Sequence, residues 1–81
     1  MSAQVNERNA EIAERLRRAR LGVGLTQEQV SEQVGLSRPV ISNLEAGKRA
    51  LLAIELPVFA DLYQVTIAHL LGLRPRAGKT H

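Results

Sequence analysis

Apolar side chains recur along this chain in steps of three and four, and glycine, proline or a hydroxyl residue punctuates the stretches that carry them. The first stretch starts between Asn6 and Ala10 and runs to about Leu21, with Ile12, Ala13, Leu16 and Ala19 on one face. Glu11 with Arg15 and Glu14 with Arg18 form i,i+4 pairs on its outside, and Gly22 and Gly24 end it. Thr26 opens a second, short helix as its N-cap, with Gln29 placed to complete a capping box. Val30 and Val34 face inward there, and Gly35 sits in the left-handed position that follows the last turn. Ser37 comes next as another N-cap. Pro39 is tolerated because a first-turn N–H has no helical partner, and Val40, Ile41 and Leu44 carry a third helix to Gly47. A loop from Lys48 to about Ala53 leads to a fourth helix, which begins near Ile54 to Leu56 and holds Phe59, Ala60, Leu62 and Tyr63. Thr66 caps a short fifth helix with Ile67, Leu70 and Leu71, stopped by Gly72. Five helices without alternating strand patterns predict an all-α fold.

Composition narrows the reading. Eighty-one residues fit one domain, and 44% hydrophobic residues are too many for a disordered chain. Without cysteine, neither a disulfide nor a thiolate metal site holds the fold together. The longest apolar run, Ala50 to Ile54, is far short of the roughly 20 residues that span a bilayer. Glu7, Glu11 and Glu14 fall where a signal peptide would be apolar, so a cytoplasmic location and no membrane contact are expected. Eleven basic against eight acidic residues give a net charge of +3. The acids all lie between Glu7 and Asp61, whereas Arg74, Arg76 and Lys79 make a basic C-terminal tail. The chain therefore divides into 1–9 (an N-terminal extension or the start of helix 1), a folded domain at 10–72, and a tail at 73–81 expected to be disordered.

The stretch Gly24-Leu25-Thr26-Gln27-Glu28-Gln29-Val30 through Gly35-Leu36-Ser37, followed by Ile41-Ser42-Asn43-Leu44-Glu45-Ala46-Gly47-Lys48-Arg49, closely resembles the phage-repressor and Cro-type helix-turn-helix family. Leu16-Arg17-x-x-Arg20 upstream and Phe59-Ala60-x-Leu62-x-x-Val65 downstream fit the same pattern. The resemblance spans about residues 10 to 72. It implies a compact five-helix, lambda-repressor-like domain with the motif at helices 2 and 3, and a transcriptional regulator, repressor or autoregulator, that binds a palindromic operator as a dimer. Ser31 stands where many members carry alanine, and its hydroxyl can bond back to the preceding turn. The resemblance also implies a partly buried ion pair between Arg20 and Glu45, the alternative being two unrelated surface charges.

In this family helix 3 lies in the major groove, and its first residues face base edges. Mapped onto this chain, those positions are Ser37, Arg38, Pro39, Ser42 and Asn43. Arg38 has the fork for guanine O6 and N7, and Asn43 the amide for adenine, although Arg38 could be a solvated arginine and Asn43 a phosphate contact. Ser42 can donate or accept, and Pro39 offers only apolar contact to a thymine methyl. Phosphates are expected at Thr26 and Gln27, at the backbone N–H groups that start helices 2 and 4, and at Lys48 and Arg49. Arg17 is a further candidate, though an arginine there is also what a solvated helix face carries. Leu51, Leu52 and Leu73 either serve a dimer or fold back onto the core.

An enzyme finds little support. His69 and His81 are accompanied by no HExxH motif and no phosphate loop, so no metal, cofactor or small-molecule ligand is expected. The rival reading is a protein-interaction adaptor or antitoxin-like module on the same fold, with the basic tail as its binding segment.

Overall fold

A computed structural model describes residues 3–73, which form five α-helices: α1 (Ala3–Gly22), α2 (Gln27–Val34), α3 (Arg38–Glu45), α4 (Leu56–Tyr63) and α5 (Ile67–Leu71). No strand occurs among these residues. The basic tail expected from Arg74 onward lies outside them. A single 3₁₀ turn, Ala53–Glu55, leads into α4.

Helix α1 begins earlier than its apolar stripe suggests. Nothing from Ala3 to Arg8 breaks a helix, so it extends as an exposed N-terminal segment ahead of the first inward residue. The outer ion pairs also differ from expectation. Glu14 meets Arg18 at 2.8 Å, but Glu11 is met by Arg8 at 3.5 Å. Arg15 instead crosses to α5, where its guanidinium donates to the His69 carbonyl and lies over Gly72. A cation suits the carbonyl end of a helix.

The core is Leu16, Val30, Ile41, Leu44, Phe59, Ala60, Tyr63 and Leu70, each no more than 6% exposed, with the Phe59 and Tyr63 rings tilted at 5.8 Å. Every helix contributes, so α1 packs on α3, α4 and α5 while α2 packs on α3 and α4. Val34, Ile12 and Leu62 are only partly buried around that centre, and Ile67 is exposed.

The limits of α2 and its junction with α3 follow from five residues. Thr26 accepts the Gln29 N–H and Gln29 accepts the Thr26 N–H, a complete capping box. Gly35 takes φ 79°, which ends α2 in a left-handed residue at no steric cost. Ser31 does not bond back along its helix. Its hydroxyl donates forward to the Leu36 carbonyl, tying α2 to the turn. Ser37 has the extended backbone of an N-cap but makes no side-chain capping bond.

Candidate nucleic-acid interface

Helix α3 has two unlike sides. Ile41 and Leu44 are 1% and 2% exposed, so they fix the helix against the core. Ser37, Arg38, Pro39 and Asn43 are exposed and Ser42 is half-buried; the candidate base readers thus lie along the outer part of the helix, with Ser42 at its margin. An eight-residue helix is too short to hold itself in water, so its direction comes from what grips its ends.

Three grips are visible. Arg20 Nε donates to Glu45 Oε2 at 2.7 Å and Arg20 Nη2 to Glu45 Oε1 at 3.0 Å, a forked pair whose side chains are 11% and 5% exposed. Arg20 Nη1 also donates to the Leu25 carbonyl at 2.9 Å, so one guanidinium joins α1, the loop before α2 and the end of α3. The Glu45 hydrogen bond raises the Arg20 pKa further, against the opposing effect of burial. Gln27 supplies the second grip, its amide donating to Glu45 Oε1 at 3.1 Å. The third lies past the helix end, where Asn9 of α1 donates to the Gly47 carbonyl at 2.8 Å.

The expected phosphate contacts fall into two groups. Lys48 is exposed. Thr26 and Gln27 are already engaged, but a hydroxyl proton on Thr26 and a second amide hydrogen on Gln27 remain as donors. Arg17, half exposed, lies 3.8 Å from Glu14 on the outside of α1. Arg49 is turned aside: its Nη1 and Nη2 fork onto Glu55 at 2.9 and 2.8 Å, which holds the carboxylate below its ordinary pKa. At the start of α4, where backbone N–H groups are expected to meet phosphate, two nearby donors are engaged. The Glu55 carboxylate accepts the Leu52 N–H there, Leu56 N–H goes to the Ala53 carbonyl, and Pro57 has no N–H.

Of the three leucines weighed for a dimer, Leu51 packs against the core while Leu52 and Leu73 are each 52% exposed. Ile54, at 79%, and Val58 are also exposed on the segment that follows α3. Three contacts are not expected from the sequence: Asn9 with Gly47, Arg15 with His69, and the Arg49–Glu55 fork. Asn9 falls within the range where the first helix is expected to begin, and neither its contact nor the Arg49–Glu55 fork carries a local signal in the sequence. His69 is exposed, and no group of His, Cys, Asp or Glu among the described residues is arranged to hold a metal. No described helix is long and apolar enough to cross a membrane.

A family profile described as helix-turn-helix matches residues 16–70. Among curated proteins, the HTH-type transcriptional activator BcrR of Enterococcus faecalis is 41% identical over 62 residues, which are 76% of this chain and 30% of that protein. The chain thus spans about a third of its relative's length. Among solved structures, the restriction-modification controller protein C.AhdI from Aeromonas hydrophila is 26% identical with a TM-score of 0.70, covering 75% of this chain and 92% of that one. The hypothetical transcription factor NHTF from Neisseria is 27% identical with a TM-score of 0.72, covering 78% and 72%.

Proposed function

The chain belongs to the helix-turn-helix family of phage-repressor and Cro type, and from that premise we propose that it is a sequence-specific DNA-binding regulator of transcription, with α3 in the major groove of a palindromic operator and two copies bound per site. The observation that carries this is the outer side of α3, where Arg38 and Asn43 are exposed on a helix anchored through Ile41, Leu44 and Glu45. A regulator needs that rigidity, because a bidentate base contact tolerates little misplacement.

Within this reading Arg38 takes guanine and Asn43 adenine, Pro39 meets a thymine methyl, and Ser37 and Ser42 supply hydroxyls. Thr26, Gln27 and Lys48 hold phosphates; Arg17 is peripheral, and Arg49 joins only when it leaves Glu55. One such domain touches too few base pairs to single out a site, so a two-fold dimer is the economical solution. Leu52, Ile54 and Val58 are the apolar surface offered to it. We further read the protein as a cytoplasmic repressor or autoregulator, because excluding polymerase from an overlapping promoter requires nothing beyond DNA occupancy. BcrR is named an activator, so the position of the operator relative to the promoter sets the sign.

Selection of bound duplexes from a random pool tests the proposal. The expected result is an inverted repeat whose half-sites lie about one helical turn apart. No enriched sequence, together with capture of a protein partner, would support the adaptor reading instead.

A further inference from the structure

The peptide that joins Gly47 to Lys48 is fastened at both of its polar ends. Its carbonyl accepts from Asn9 Nδ2 at 2.8 Å, and its N–H donates to the Asn43 carbonyl at 2.9 Å. The second bond, with Gly47 N–H to Leu44 O at 3.3 Å, closes α3 as a Schellman cap. Such a cap is local and common. The first bond is neither, since it reaches across 38 residues from the exposed end of α1.

Gly47 has φ +74° and lies beside that helix, where a Cβ would meet Ala10 Cα at 3.8 Å and Ala13 Cβ at 3.9 Å, ordinary van der Waals distances. Glycine takes this left-handed conformation without steric cost, so the backbone there is held by its hydrogen bonds and not by a side chain. The peptide after it sets where the Lys48 Cα lies and in which direction its side chain leaves. Asn9 is half-buried on a continuous helix, so its amide is a fixed post rather than a flexible tether. Asparagine is also a weak helix former, and local propensity does not account for it in mid-helix.

We propose that Asn9 is a positioning residue for DNA binding: it fixes the Gly47–Lys48 peptide against α1, so that the Lys48 ammonium and the Asn43 end of α3 are presented to one duplex in a set relation. This rests on the DNA-binding reading above. Asn9 itself touches no nucleic acid in this account.

The test is a double-mutant cycle of Asn9→Ala and Lys48→Ala on a selected duplex, across a salt series, with amide hydrogen exchange recorded on each protein. Asn9→Ala should weaken binding about fivefold, the scale of one net hydrogen bond. It should flatten the salt slope by up to about 0.9, as Lys48→Ala does, and have little further effect in the Lys48→Ala background. Exchange of the Lys48 N–H should quicken while amides of α2 and α4 keep their protection. Independent, multiplying effects of the two substitutions would overturn the inference, as would an unchanged salt slope or unchanged Lys48 exchange. If the unaltered protein selects no duplex, the DNA reading falls and this inference with it; additive effects in a protein that does select remove the inference alone.

Discussion

Tyr63 is 2% exposed, and its hydroxyl has no hydrogen-bond partner among the described residues. Burial pushes its pKa up, the nearby Glu45 carboxylate adds to that, and Arg20 works against it. A buried hydroxyl without a partner is a desolvation cost, and Tyr63→Phe should stabilise the fold by up to about 1 kcal/mol in urea melts. A loss of that size would show that the hydroxyl is bonded after all. Glu55 presents the opposite case. The Arg49 fork depresses its pKa below the 4.5 of a free glutamate, burial works against this, and the Leu52 N–H lowers it further. A depressed folded-state pKa means the contribution is complete above the unfolded value and is lost as pH falls through the folded one. Glu55→Gln should therefore flatten the stability profile on the acid side of pH 4.5. By releasing Arg49 it should also steepen the salt dependence of DNA binding by about one counterion. An unchanged slope would mean that Arg49 already reaches phosphate.

At the scale of the helices, the question is what sets the direction of α3. Its apolar side places it against the core, yet the grip on its end is polar and comes from α1, α2 and the loop between them through Arg20, Gln27 and Leu25. Removing one member of this partly buried pair leaves a charge without its partner, so Glu45→Ala should cost about 1.5–3 kcal/mol, the scale of hydrogen bonds to charged groups. Replacing both, as Arg20→Met with Glu45→Leu, should recover most of the melting temperature but not the DNA affinity, because apolar contacts restore burial without restoring the angle. Recovery of both, or a neutral Glu45→Ala, would show that the pair does not set the geometry. These helices also show how far the sequence could be read. Boundaries marked by local chemistry, such as the Thr26–Gln29 box and Gly35, are found where the residues announce them. The start of α1 is not, because its inward apolar stripe begins only at Ile12, well inside the helix. The end of α4 agrees with its last apolar residue, Tyr63, although Gln64, at φ 58°, closes a turn that glycine usually closes. Contacts between distant segments (Asn9 with Gly47, Arg15 with His69) leave no periodic trace, since hydrogen bonds across a fold depend on packing that a pattern of apolar positions does not encode. Within the candidate site, the outward residues of α3 were legible, whereas the engagement of Arg49 by Glu55 was not.

For the whole molecule, a small buried core holds five helices, four of them of eight residues or fewer, and the proposed chemistry is on the surface. The exposed Ile54 gives the proposed dimer a direct probe. Ile54→Glu should leave the helical fold intact but lower the two-to-one stoichiometry on a palindromic duplex in sedimentation; unchanged stoichiometry would move the interface elsewhere. Sequence-specific regulation depends on α3 distinguishing bases and not merely meeting an anion. The most direct measurement is the affinity of the unaltered protein and of Arg38→Ala for a selected operator and for a shuffled duplex, at one fixed salt concentration. The unaltered protein should prefer the operator by about 10³-fold or more. Arg38→Ala should lose about 1–3 kcal/mol on the operator and far less on the shuffled duplex. Equal affinity for both duplexes, or an equal loss on both from Arg38→Ala, would contradict it.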